Sequence, residues 1–323
     1  MPETVPGTSP QVVVIGSVNI DHVVVADAFP SPGETLLGRT AYVTLGGKGA
    51  NQAAAAASGG VRTAMIARVG EDAEADRARA RLVAGEVDVE AVTTVPGAET
   101  GTAWITTAAG DNTIVVVAGA NHQWPSEGDP TEGLGAQAAV VLAQLEIPLD
   151  VVRRAADACR GRFLLNAAPA AELPDDLIAR CDVLIVNEHE QAVVSGQLAT
   201  DKDAEVTPDE ASVRRAHDAL RARGAKAVVT TLGEAGAIVT DADGVTTALP
   251  AVPATVVDTT GAGDAFAGVL AARLAAGDPL LDAARLGIAA GSLAVRVSGA
   301  PQQYADLATL RALAPTTPPT EKD

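Results

Sequence analysis

The chain predicts an α/β fold: a doubly wound, mostly parallel central sheet with helices on both faces, plus a small β-sheet lid. Three observations carry this. Short apolar runs without polar alternation, such as Val12-Val13-Val14-Ile15 and Val183-Leu184-Ile185-Val186, read as strands buried on both faces. Charged or Ala-rich segments of helical length separate them. Polar residues recur where the runs end: Asn19, Glu146, Asn166, Asn187 and Thr231. Ligands of open parallel sheets bind beyond the carboxyl ends of the strands, so this repetition marks one rim as the working edge.

Composition narrows the classes. The 323 residues are 47% hydrophobic, enough to bury a large core and too apolar for a disordered chain. Aromatics are only 2%, so the core must be built from Ala, Val, Leu and Ile. The formal charge of −18 argues against nucleic acid or an anionic membrane as partner through a general basic surface, yet allows a local anion site. Cys159 and Cys181 are too few for a disulfide framework and have no metal-ligand spacing; they read as small buried hydrophobes. His22, His122, His189 and His217 show no metal-ligand pairing either and read as core or surface histidines. No stretch approaches the roughly 18 apolar residues of a membrane span. Residues 1–10 lack the apolar core of a signal peptide. A cytoplasmic location is expected.

The elements follow in order. Val12 to Ile15 is the first strand, leading to Gly16-Ser17-Val18-Asn19-Ile20-Asp21. Asn19 and Asp21 are two apart, so in extended chain they face the same way, which suits either a pair of sugar hydroxyls or a polar turn. His22 to Ala26 and Thr35 to Val43 read as strands outside the main sheet, around a Pro30-Ser31-Pro32-Gly33 turn. Gly46-Gly47-Lys48-Gly49-Ala50-Asn51-Gln52 then opens an Ala-rich helix. It is not a Walker A loop, because Gly49 stands where Ser or Thr is needed. Its glycines fit either a close-lying ligand or a plain tight turn. Thr63 to Val69 is a strand and Asp72 to Ala84 a charged helix; Gly101–Thr107 and Thr113–Ala118 form a hairpin. Beyond Ala138, strands at 138–145, 163–165, 183–186 and 227–231 alternate with helices at 151–159 and 211–223. The core is therefore expected from 11–21, 45–99 and 119–312, the lid from 22–44 and 100–118, and disordered tails at 1–10 and 315–323. The 195–210 stretch reads as an acidic loop.

The chain is organised around Asp258-Thr259-Thr260-Gly261-Ala262-Gly263-Asp264. An extended run, 254–257, read as a strand, precedes it, and an apolar helix follows. Backbone N–H groups of such a turn, together with the helix dipole, converge on a point that suits an anion. Asp264 at the helix start fits either a base beside that anion or an ordinary N-cap.

These motifs, in this order with Asn166-Ala167-Ala168-Pro169, Asn187-Glu188-His189-Glu190 and Gly119-Ala120-Asn121, resemble the ribokinase (PfkB) family of carbohydrate kinases over about residues 11–312. The resemblance implies transfer of the ATP γ-phosphoryl to the 5-hydroxyl of D-ribose, with Asp264 as base and the turn at Gly261, Ala262 and Gly263 as anion hole. It implies a sugar held by Asn19, Asp21, Gly47, Lys48, Asn51 and Glu146 and covered by Ala103 and Ile114. Asn187, Thr231 and Gly233 would meet the nucleotide, and Glu190 would position Mg2+ through water. An activating K+ would lie on the Asp258 carboxylate and the carbonyls of Thr260, Ala294, Val297 and Gly299. Where relatives usually have Ser, this chain offers the longer Gln303. A homodimer through the lids is also implied; Trp104, facing away from Ala103 by strand alternation, packs either on a partner's lid or within its own. The alternatives are another kinase of the family, acting on 2-deoxyribose, another sugar or a nucleoside, or a non-catalytic sugar sensor, which has no need of an acid at 264.

Overall fold

The computed structural model describes residues 9–109, 111–196, 209–301 and 303–314. Both terminal segments expected to be disordered, except Ser9 and Pro10, lie outside these residues, as does most of the acidic stretch 195–210. Ser9 is tied down: its carbonyl accepts from the Arg62 guanidinium at 2.8 Å.

The chain order is β1 (Val12–Ile15), β2 (Asn19–Val25), β3 (Thr40–Gly46), α1 (Lys48–Ser58), β4 (Thr63–Val69), α2 (Ala73–Ala84), β5 (Val87–Asp88) and β6 (Val92–Thr94). Next come β7 (Gly101–Ala108), β8 (Asp111–Val117), β9 (Val140–Ala143), α3 (Leu149–Ala158), β10 (Arg162–Asn166), α4 (Asp175–Ile178), β11 (Val183–Asn187) and α5 (Glu188–Val194). The last are α6 (Glu210–Ala222), β12 (Val228–Thr231), β13 (Ala237–Thr240), β14 (Thr246–Leu249), α7 (Ala262–Ala275), α8 (Leu280–Ala294) and α9 (Leu307–Leu313).

The large sheet runs β14-β13-β12-β11-β10-β9-β1-β4-β5, with β6 paired to the far end of β4. All its pairings are parallel except those of the β13–β14 edge hairpin. That hairpin is absent from the sequence reading, because strands of four residues are too short to show a period. Successive residues of β1 serve opposite faces. Val12 and Val14 join one core with α1, α7 and α8, and Val13 and Ile15 another with α3 and α4. This explains the unbroken apolar runs: a strand covered on both faces has no polar side.

Two further differences are physical. The expected strand at 254–257 is a loop. The N–H groups of Val257 and Asp258 donate to the Val295 carbonyl just past α8 (2.7 and 3.2 Å), and the Val256 and Val257 side chains are exposed. β-Branched residues favour extended backbone, but a strand also needs a ladder partner, and the sheet already ends at β14. The boundary drawn between core and lid at 21/22 falls inside β2, which begins at Asn19.

The second sheet is β3-β2-β7-β8. Asn19 pairs with Gly101 and Asp21 with Ala103 in the parallel β2–β7 ladder, so two strands leave the core side by side. Trp104 is 55% exposed and stacks on His22 of the neighbouring strand, centroids 4.4 Å apart.

Packing of α1 on α7 positions the chemistry. Residues from Asp264 to Leu274 of α7 are buried, so this helix is apolar nearly all round. Gly268 lets it approach α1: a Cβ there would come within 2.6 Å of the Ala55 methyl. The alanines of α1 present only methyl groups to the contact. Cys181 is fully buried as expected, and Cys159 partly so. His217 on α6 is fully buried, its two ring nitrogens each 2.7 Å from a hydroxyl, of Thr230 and Thr240. Burial lowers its pKa to about 4, so it is a neutral core residue. Among the described residues no helix is long and apolar enough to cross a membrane.

Candidate active site

The carboxyl rim of the large sheet and the inner face of the small one enclose a cleft of about 340 Å³. Its polar floor is built where β1 hands over to β2. The buried Asn121 side chain accepts from the Val18 N–H (2.9 Å) and donates to the Val18 carbonyl and to Asn19 Oδ1 (3.1 and 2.7 Å). The Val18 N–H fixes which way the Asn121 amide stands, and Asn121 in turn fixes Asn19. Asn19 therefore turns its NH2 toward the cleft. Asp21 lies two residues on along the same face, with Ala103 beside it in register. Ala103, Ile105, Ile114 and Val116 supply an apolar roof from the second sheet. Glu146, beyond β9, accepts from Ser17 Oγ (2.5 Å) and from the Lys48 N–H (2.9 Å), which ties the strand ends to the start of α1. Gly47 is the N-cap of α1 and lines the cleft with Lys48 and Asn51.

Asp264 stands third in α7 and is 6% exposed. It is not the N-cap; that position belongs to Gly261, at φ 78°, where a left-handed backbone favours glycine. Asn51 donates to one carboxylate oxygen at 3.0 Å and Gln52 to the other at 2.9 Å. Of the three N–H groups expected at the anion turn, that of Ala262 donates to the Thr259 carbonyl at 3.2 Å, while Gly261 and Gly263 line the cleft.

The other end of the cleft is formed by Asn187, Glu190, Thr231, Thr259 and Thr260. Asn187 and Glu190 cap α5 reciprocally: each side chain accepts from the other's backbone N–H at 2.8 Å. Gly233 is not among the residues lining this cleft. Asp258 lies behind the turn and accepts from the N–H groups of Thr260 and Gly299, both at 2.8 Å, which joins the turn to the loop after α8. Ala294, Val297 and Gly299 belong to that loop and the helix end before it; Gln303 is exposed.

Electrostatics sets the charges. Burial, with Glu146 and Asp264 nearby, raises Asp21 to about 7. One of its buried oxygens has no hydrogen-bond partner. Burial raises Asp264 too, opposed by Lys48, Asn51 and Gln52. For Lys48, burial is outweighed by Asp264, Glu146 and Glu190, which raise its pKa and keep it protonated. Burial also raises Glu190. Asp258 goes the other way: burial is outweighed by hydrogen bonds from Thr260 and Gly299, which hold it charged. A lysine among three carboxylates, beside a glycine turn at a helix start, can gather anionic groups at one end of the cleft and a polar neutral molecule at the other.

Ser17, Gln52 and Asn121 are part of this construction and carry no role in the sequence-based expectations; Asn166, expected on the working rim without a role, lines the cleft and accepts from Gln52. Gln52 adjoins Asn51 within the glycine motif, but its side-chain partners are 92 to 212 residues away.

Fold and cleft together define a phosphotransferase acting on an alcohol group. The chain belongs to the pfkB family of carbohydrate kinases, whose model matches residues 9–305. It is 35% identical to the ribokinase of Haemophilus influenzae over 292 residues, 89% of this chain and 92% of that one. It is 37% identical over 297 residues to a bifunctional ribokinase/ribose-5-phosphate isomerase A of Fructilactobacillus sanfranciscensis, covering 90% of this chain and 53% of that protein. The structure of Arabidopsis thaliana ribokinase complexed with ribose and ATP superposes with a TM-score of 0.86 at 30% identity, covering 96% of this chain and 100% of that one.

Proposed function

We propose that the chain transfers the γ-phosphoryl group of ATP to the 5-hydroxyl of D-ribose, giving D-ribose 5-phosphate and ADP. The observation that carries this is the continuous cleft from Asn19, Asp21 and Glu146, past Asp264, to Asn187, Glu190 and Thr231. Asn19, Asp21, Gly47, Lys48, Asn51 and Glu146 hold the sugar, with Ala103 and Ile114 as its cover. Asp264 accepts the proton of the 5-hydroxyl as its oxygen bonds to the γ-phosphorus and the bond to the ADP oxygen breaks. The raised pKa of Asp264 suits a base. Gly261 and Gly263 present N–H groups to the transferring phosphoryl, as phosphoryl transfer demands. Asn187, Thr231 and Gly233 lie along the nucleotide.

Mg2+ bound with ATP would supply neutralisation of the phosphate charge. Among the described residues no three or more Asp, Glu, His or Cys side chains are arranged to hold a metal ion directly. That fits an ion held by phosphates and water, with Glu190 orienting the water. Asp258 keeps its charge, which suits K+; the carbonyls of Thr260, Ala294, Val297 and Gly299 and the side chain of the exposed Gln303 would complete its ligands. The outer face of the small sheet, with Trp104, Val115, Val117 and Val43 exposed, is the contact of a homodimer. Consumption of ATP suits a cytoplasmic enzyme.

The test is ADP release with Mg-ATP from D-ribose, 2-deoxyribose, fructose 6-phosphate and adenosine, in K+ and in tetramethylammonium salts. D-Ribose in K+ should give the highest kcat/KM. A flat response to all four overturns the kinase reading, and equal rates in both salts remove the K+ assignment.

Asp21 gives a pH prediction. Its folded pKa of about 7 lies above the ordinary 3.8, so the free enzyme holds a proton there at pH 6. Sugar hydroxyls donate to the ionised carboxylate, so binding expels that proton and affinity for ribose rises between pH 6 and 8. Calorimetry at pH 6 in buffers of different ionisation enthalpy should report proton release. No release, with equal affinity at both pH values, would count against Asp21 as the hydroxyl acceptor.

A further inference from the structure

We infer that Gln52 is a positioning residue for phosphoryl transfer: it sets the orientation of the Asp264 carboxylate, and Gln144 locks the Gln52 amide in the orientation that does so. This rests on the reading of Asp264 as the base. Gln52 is fully buried on α1. Its Nε2 donates to Asp264 Oδ1 and to Asn166 Oδ1, both at 2.9 Å. Its Oε1 accepts from Gln144 Nε2 at 2.8 Å. An amide NH2 has two hydrogens, and both are used. Turning the amide over would set its carbonyl oxygen against the carboxylate and the Asn166 oxygen, and would lose the Gln144 bond.

A carboxylate at the end of a short side chain turns easily, because the terminal sp3–sp2 torsion is broad. Helix α7 alone therefore places Asp264 without aiming it. Asn51 on one oxygen and Gln52 on the other stop the rotation and leave the remaining lone pairs for the cleft. The frame behind Gln52 is the central sheet: Asn166 ends β10 and donates to the Ile185 carbonyl, and Gln144 directly follows β9. The base is thus registered to the strand ends that also carry Glu146. Charge follows the same geometry. Two amide donors favour the ionised form against burial, so the frame keeps Asp264 able to accept a proton.

The variants are Gln52→Met, which keeps the volume and removes the donor, and Gln144→Met, which removes only the lock. Gln52→Met should lower kcat about 10- to 100-fold and displace the acidic limb of the kcat–pH profile upward by about one unit, the scale of one hydrogen bond to a charged group. KM for the sugar should stay within about 3-fold, since Gln52 does not line the cleft. Gln144→Met should act in the same direction and less. The acceptor is whichever compound in the panel turns over. Titration of the Asp264 carboxyl carbon by NMR, without substrate, should show the same upward displacement in Gln52→Met. This second readout separates the proposals: if it moves while Asp264→Asn remains active, the base assignment fails and the frame stands. If Gln52→Met is unstable, Gln144→Met carries the test. An unmoved limb and titration, with kcat within about 3-fold of wild type, overturn the inference.

Discussion

Asp264→Asn is expected to lower kcat by about 10²- to 10⁴-fold, the range of a positioned general base. Asn has the same shape as Asp but cannot take a proton. It fills the same buried slot at the start of α7, so the helix should form and the sugar should still bind. The local cost is specific. Asn51 and Gln52 both donate into this position, and an amide can offer an oxygen to one of them only. A modest loss of thermal stability should accompany the loss of turnover. Steady-state kinetics with calorimetric sugar binding separates the two effects. Turnover within 10-fold of wild type would remove Asp264 from its role.

The second large effect is expected from Gly261→Val, which should lower kcat by about 10²- to 10³-fold through loss of an anion-hole donor. Gly261 sits at φ 78°, and a Cβ there would meet the Ala300 methyl at 3.1 Å. A β-branched residue in that conformation adds about 1–3 kcal/mol of backbone strain. The turn can relieve it only by swinging its N–H groups away from the cleft. Apart from Asp264, the proposed sugar contacts lie on other elements, so most of the sugar affinity should survive while ATP turnover falls. Equal losses in sugar binding and turnover would instead indicate general misfolding.

Much of this architecture is legible in the sequence because its causes are local. A run such as Val12 to Ile15 has no polar face, and only a strand covered on both sides tolerates that. Alternation separates Ala103, under the roof, from Trp104, outside it. The glycines before Asp264 mark a turn whatever the rest of the chain does. What escapes the sequence depends on partners far along the chain. Gln52 gains its meaning from Gln144, Asn166 and Asp264, and Asn121 from Val18 and Asn19. His217 reads as an ordinary core or surface histidine until α6 packs it against Thr230 and Thr240. The run at 254–257 fails differently: its residues suit a strand, and among the described residues no strand pairs with it.

One feature of β2 has a mechanical meaning. The strand starts at Asn19 and continues without a break to Val25 in the second sheet, while β7 leaves the core next to it at Gly101. The roof is therefore the outer arm of a lever whose inner arm carries Asn19 and Asp21. Asn19 and Asp21 share one unbroken strand with the cover, so any displacement of the roof would carry the polar floor of the cleft with it.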